Sequence, residues 1–287
     1  MSLDAAGADR LLDELERRIP QRPPYLELPE QPGGSAVVFG DTHGDWLSTL
    51  EAVAEFERRG TSAVLIGLGD YVDRPPSDLP MGSVANALFL LSLEARDPRR
   101  VVLLQGNHET MRTIPASPHS LPFELERQWG PSPERYDRLL RLFERGPLAA
   151  ILSGPRAYLA HAGFPRGRLS PDWRAARAPV GVHRLLELVW SECEASSARR
   201  GAIEPWNEAD LDRFLGASGL STVWRGHDPD LAGRPIYHDR AMTLHSTRIY
   251  ARYGGVLLAV LPLAGPLPDV RKGEVRHLTT ERRLPPR

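Results

Sequence analysis

The stretch AVVFGDTHGDW, residues 36–46, opens with an apolar run, closes it at Gly40 and then presents Asp41, His43 and Asp45. A short apolar run rich in valine and bounded by glycine reads as a buried strand. Asp41 and His43 therefore fall in the turn at the carboxyl end of that strand. The pattern recurs along the chain: VLIGLGDYVDR at 64–74, VVLLQGNHE at 101–109, HAG at 161–163 and RGHD at 225–228. Open α/β sheets bind ligands outside the carboxyl ends of their strands. An α/β fold would thus bring Asp, Asn and His side chains from five separated segments to one crevice.

Working outward from residue 36, Trp46 to Arg59 reads as a helix ended by Gly60, followed by a strand over 62–68, a helix over 83–95 and a strand over 101–104. This is a repeated βαβ pattern. Upstream, residues 4–18 carry Leu11, Leu12 and Leu15 among charges, which predicts an amphipathic helix packed on the body, and 20–32 reads as a proline-rich connector. Downstream come a proline-rich loop at 114–122, a helix near 133–145 and a hairpin of 148–152 with 156–160. The second half adds helices near 180–189 and 208–218, the latter capped by Asn207, and hairpin-like strands near 221–225, 241–245 and 255–261. The elements predict two mixed sheets packed as a sandwich and flanked by helices. The expected division is 1–35 as helix and connector, 36–265 as catalytic domain and 266–287 as a basic, solvated tail.

Composition sets outer limits. The chain has 287 residues, 41% hydrophobic and 25% charged, which is ordinary for a globular enzyme and argues against disorder. A formal net charge of -1 gives no general attraction to nucleic acid or anionic membrane. No apolar run approaches the roughly 20 residues that span a bilayer. A single cysteine, Cys193, forms no intramolecular disulfide, and residues 1–20 lack the apolar core of a signal peptide, so a cytoplasmic protein is expected. A monomer is favoured.

The chemistry follows from the donor types. Oxygen and nitrogen donors without thiolate suit manganese, iron or zinc. Two such ions about 3.5 to 4 Å apart bind a phosphoryl group, activate water and stabilise charge on the attacking and leaving oxygens. That arrangement needs a bridging carboxylate, for which Asp70 in the central GDYVDR is the natural candidate. Asp41 and His43 would serve one ion, and Asn107, His161 and His227 the other. Each motif alone is a common turn; the five in series point to a two-metal phosphoesterase.

The ordered set GDTHGD, GDYVDR, GNHE, HAG and RGHD resembles the phosphoprotein phosphatase family of calcineurin-like metallophosphoesterases, over roughly residues 36–261. The resemblance implies two divalent metals, one held by Asp41, His43 and Asp70 and the other by Asp70, Asn107, His161 and His227. It further implies His108 as the proton donor to the leaving group, Asp73 as its orienting carboxylate, and Arg74, Asn107, Arg200 and Tyr250 as phosphate contacts, with Arg199 the alternative to Arg200. The implied substrate is a phosphorylated protein or small phosphoester. The implied reaction is phosphomonoester hydrolysis by direct attack of a metal-bridging hydroxide, with dinucleoside polyphosphate or another phosphoanhydride as the alternative substrate and a non-catalytic binding protein as the remaining one. Three positions depart from the family pattern: Pro75 replaces the glycine after VDR, Ala162 replaces the first glycine after His161, and Gln105 precedes GNHE.

Overall fold

The computed structural model describes residues 3–176, 180–197 and 202–280. Two five-stranded sheets face each other. The first runs in the order β10 (Glu274–His277), β9 (Leu257–Pro262), β2 (Ser35–Phe39), β3 (Ala63–Gly67), β4 (Val101–Leu103). The second runs β1 (Tyr25–Leu28), β5 (Ala149–Leu152), β6 (Ala157–Ala160), β7 (Thr222–Arg225), β8 (Ala241–Thr243). Strands β2, β3 and β4 are parallel, as the βαβ pattern predicts, with helices α2 (Trp46–Arg58) and α3 (Gly82–Arg96) as crossovers.

Alternation along each strand explains the layers. In β2, Ala36 and Val38 point into the core between the sheets while Val37 and Phe39 point to the helices outside; in β9, Leu257, Ala259 and Leu261 point in while Leu258 and Val260 point out. Such strands are apolar on both faces because both faces are covered. The outer face of the first sheet packs against α1 (Ala5–Arg18), α2, α3, α4 (Leu121–Trp129) and α5 (Pro133–Phe143). The outer face of the second packs against α6 (Val182–Val189) and α7 (Glu208–Ser218) with Phe164 and Trp206. Asn207 caps α7 through a reciprocal pair of hydrogen bonds with Asp210. No helix among the described residues is long and apolar enough to cross a membrane.

Four sequence expectations are corrected. The connector read over 20–32 contains β1, which pairs in parallel with β5. Prolines flank it, and as an edge strand it needs partners on one side only, so its proline-rich setting is no obstacle. The loop read over 114–122 gives way to α4, whose Pro122 sits in the first turn, where a missing N–H costs nothing. The late strands are not hairpin-like among themselves, since β7 and β8 run parallel and β9 pairs with β2, whereas the expected hairpin of 148–152 with 156–160 is present as antiparallel β5 and β6. Part of the tail read over 266–287 is strand β10, antiparallel to β9. Its sequence, Glu274, Val275, Arg276 and His277, has the charge that protects an edge strand from further pairing and so imitates a solvated terminus.

Candidate metal centre

The five motifs converge at the carboxyl ends of β2, β3, β4, β6 and β7. Asp70 lies between two donor groups: its Oδ2 is 3.6 Å from His43 Nε2 and its Oδ1 is 3.4 Å from His161 Nε2. Asp41 Oδ2 is 3.8 Å from His43 Nε2. On the other side, His161 Nε2 lies 2.9 Å from Asn107 Oδ1 and 3.1 Å from His227 Nδ1, and His227 Nδ1 lies 3.2 Å from Asn107 Oδ1. All six side chains are buried.

The surrounding carbonyls fix which imidazole nitrogens face inward as lone pairs. His43 Nδ1 donates to Val72 O and His161 Nδ1 donates to Leu68 O, each at 3.0 Å. A carbonyl only accepts, so these nitrogens carry the hydrogens and both Nε2 atoms present lone pairs to the centre. Backbone carbonyls orient metal-binding histidines in this way. Carboxylate and amide oxygens gathered with imidazole nitrogens at these separations are the donor set of a divalent cation. The residues therefore fit a divalent metal centre.

The turns are built to hold these donors. His43, Asp70, Asp73, Arg74 and His227 all have positive φ, between 45° and 69°. For non-glycine residues such a conformation costs roughly 1 to 3 kcal/mol each and persists where surroundings impose it. Those surroundings are visible. Glu109 accepts hydrogen bonds from the N–H groups of Asp70, Tyr71 and Gly106. Arg225 pairs with Asp228 at 2.7 Å across the His227 turn. Glycine is required beside the carboxylates, because a Cβ at Gly106 would lie 2.4 Å from Asp70 Oδ1 and one at Gly226 would lie 2.1 Å from Asp41 Oδ1.

Burial and mutual charge dominate the electrostatics. Burial, together with the charge of Asp70, holds the Asp41 carboxyl well above the usual carboxylate range. Burial also raises Asp70, but His161, His108, His43 and Arg74 outweigh it and keep Asp70 ionised. Burial lowers His43 well below an ordinary histidine, and Arg74 adds to the effect. Burial likewise lowers His161 to about 4. Neutral imidazole is the form that ligates metal.

Beside the cage lies a second cluster. His108 Nδ1 donates to Asp73 Oδ2 at 2.5 Å, and the Asp73 carboxylate also accepts from the N–H groups of Ser120 at 2.7 Å and Leu121 at 2.8 Å. Burial raises Asp73, but the hydrogen bonds and charges of His108 and His119 prevail and pull it below the usual carboxylate range. Arg74 Nη2 donates to His43 Nε2 at 2.8 Å and to His108 Nε2 at 2.9 Å, and its Nη1 donates to the Tyr250 hydroxyl at 2.9 Å. A His43 lone pair engaged with Arg74 is not available to a metal, so ligation there requires Arg74 to turn outward. Its side chain is 29% exposed.

The structure thus brings together Asp41, His43, Asp70, Asn107, His161, His227, His108, Asp73, Arg74 and Tyr250. Arg199 and Arg200 lie outside the described residues, although Trp190 of the preceding Trp-Ser pair reaches the site, its ring 6.0 Å from that of His227. Two contributors, Arg248 and His119, escaped the sequence reading, and a third, His245, was only an alternative there as an accessory polar group. His245, which reads as an ordinary packed histidine, has its Nε2 3.6 Å from Asp41 Oδ2. Arg248, buried after β8, ties Asp45 to Asp78, with bonds of 3.0 and 2.9 Å, and so anchors the Pro75-Pro76 loop behind Arg74. His119 reaches Asp73. His245 and Arg248 stand in TLHSTRIY, 243–250, where the family resemblance had already directed attention to Tyr250; nothing local marks His119.

Two mixed sheets with Asp, Asn and His donors gathered at their strand ends define a metal-dependent phosphoesterase. Residues 35–231 match the family model described as calcineurin-like phosphoesterase. The chain belongs to the calcineurin-like phosphoesterase family. Among named relatives, the serine/threonine-protein phosphatase 4 catalytic subunit of Eremothecium gossypii is 28% identical over 241 residues, covering 78% of this chain and 72% of that protein. Serine/threonine-protein phosphatase 7 of Arabidopsis thaliana is 30% identical over 210 residues, covering 73% of this chain and 46% of that protein. Among solved structures, a serine/threonine phosphatase from Saccharomyces cerevisiae with similarity to human phosphatase PP5 superposes with a TM-score of 0.72 at 24% identity, over 88% of this chain and 80% of that chain.

Proposed function

We propose that this chain is a two-metal phosphomonoesterase acting on phosphoserine and phosphothreonine in proteins. The observation that carries the two-metal reading is the position of Asp70, with one carboxylate oxygen turned to the His43 side and the other to the His161 side. Asp41, His43 and Asp70 would hold one ion, and Asp70, Asn107, His161 and His227 the other. When bound, the ions supply Lewis acidity toward phosphate and hydroxide at neutral pH.

The chain's own groups do the rest. Arg74, turned outward from His43 and backed by Tyr250, grips phosphate oxygens through its planar fork. In-line attack by hydroxide forms a new phosphorus–oxygen bond as the bond between phosphorus and the ester oxygen breaks, and His108 in its imidazolium form gives the Nε2 proton to that ester oxygen while Asp73 holds the opposite ring nitrogen. Residues 36–265 contain all of these groups, and the proposed catalytic unit is that segment together with the edge strands β1 and β10. The phosphoprotein assignment is supported by the names of four relatives, each a serine/threonine-protein phosphatase.

The test is a panel of phosphoserine, phosphothreonine and phosphotyrosine peptides beside diadenosine tetraphosphate, run on protein stripped of metal and reloaded separately with manganese, iron or zinc. Two ions per chain and preferential turnover of phosphoserine or phosphothreonine peptides are expected. Preference for the dinucleotide would overturn the substrate assignment, and one ion per fully active chain would overturn the two-metal reading.

A further inference from the structure

Asp73 carries one more partner than orienting a single histidine requires. Its Oδ2, which accepts from His108 Nδ1, also accepts from His119 Nδ1 at 2.7 Å. His119 stands 46 residues further along the chain, directly before α4, and its Nε2 is 2.8 Å from the hydroxyl of Tyr136 on α5. The hydrogen-bond roles are consistent along the row. An imidazole that donates from Nδ1 to a carboxylate has, in its neutral form, a lone pair at Nε2 that accepts from a tyrosine hydroxyl. The rings of His119 and Tyr136 also lie 5.4 Å apart, so the pair is packed as well as bonded.

Both carboxylate oxygens and the backbone N–H of Asp73 are engaged in hydrogen bonds. The backbone N–H groups of Ser120 and Leu121 fix Oδ1, and the Asp73 N–H itself donates to Ser83 Oγ at 2.9 Å. His119 shares Oδ2 with His108. We propose that His119 is a positioning residue for proton transfer, holding the Asp73 carboxylate so that His108 presents Nε2 toward the leaving oxygen, with Tyr136 holding His119. This rests on the reading of His108 as proton donor. His119 acts through Asp73 and touches no substrate.

Proton donation matters in proportion to the basicity of the leaving group, which separates this role from plain structural support. The experiment compares His119→Ala, His119→Asn, His108→Ala and the double variant His108→Ala/His119→Ala, each with matched metal content, on a nitrophenyl phosphate and on a phosphoserine peptide. His119→Ala should lose roughly 10- to 100-fold in kcat on phosphoserine, the range seen when an orienting partner is removed, with little loss on the nitrophenyl ester. His119→Asn, whose side-chain N–H replaces that of Nδ1, should recover most of the loss. In the His108→Ala background the second substitution should cost nothing further. Tyr136→Phe, which keeps the ring packing, should lose in the same direction by a smaller factor and serves if His119→Ala does not fold. Equal losses on both substrates, or a full additional loss in the double variant, would overturn the positioning role alone. A His108→Ala variant without leaving-group dependence would overturn the proton-donor reading and this inference with it.

Discussion

The two carboxylate clusters of this site sit side by side and are built on opposite plans. Around Asp70 and Asp41, the side chains turned inward are mainly acceptors, two carboxylates, an amide oxygen and imidazole nitrogens whose hydrogens point away to Leu68 and Val72, and each carboxylate accepts from a backbone N–H, that of His108 or of His227. Around Asp73 the groups turned inward are donors, from His108, His119, Ser120 and Leu121. The same side chain in equally buried surroundings therefore has opposite needs. Asp41 is driven toward its neutral form beside Asp70, whereas Asp73 is held ionised by its neighbours. Burial costs both, and partners decide the outcome. The first plan depends on cations from solution. The second is satisfied within the chain, which suits the orienting role proposed for Asp73.

The most severe test of this contrast is Asp70→Asn. With the shared carboxylate charge removed, turnover of an aryl phosphate should fall by about 1,000-fold or more and metal content should drop, as measured by steady-state kinetics and elemental analysis. Asp73→Asn should retain metal, so equal metal loss in both variants would erase the distinction. Next in size, His108→Ala should lose about 100-fold or more on a phosphoserine peptide and clearly less on a nitrophenyl ester. Equal losses would remove the proton-donor role from the second cluster. Arg74→Ala, which deletes the side chain bridging the two clusters, should raise KM roughly tenfold or more with a smaller change in kcat; a change confined to kcat would argue against ground-state phosphate binding.

Two smaller effects concern stability. Chelation should lower the midpoint of thermal unfolding, the stability lost growing with the free metal previously present and reaching about 2.7 kcal/mol at a concentration 100 times Kd. A melting curve indifferent to chelator would contradict the acceptor-lined plan. For Asp73 the folded-state carboxyl titrates below its usual value of 3.8. Its contribution to stability is therefore present above that value and is lost as pH falls toward the folded-state value. Asp73→Asn should be less stable than the parent at neutral pH and lose less on acidification, followed by denaturant unfolding at several pH values.

The contrast between the clusters also separates what was legible from what was not. Every cage residue lies within a few positions of a strand end, and the glycine beside it is demanded by the packing, so cage and glycine are encoded together. The long crossover helices announce themselves in the same way, by periodicity. The edge strands β1 and β10 do not, because an edge strand tolerates proline and charge. Helix α4 hides behind Pro122 for a comparable reason. In the site, Arg248 and His119 escape, and His245 reads no further than an accessory or packed histidine, for want of local signature: each acts on a residue remote in sequence, Asp41, Asp45 or Asp73.

The sequence by itself determined the fold class, the order of the βαβ units and the donor set, because strand periodicity and glycine-bounded turns are local properties. Tertiary structure alone decided that Asp70 faces two donor groups with its two oxygens, that Arg74 joins His43 to His108, and that Asp73 answers to a second histidine. Those relations depend on the distance between segments far apart in the chain, and only the packing of two sheets and their helices sets that distance.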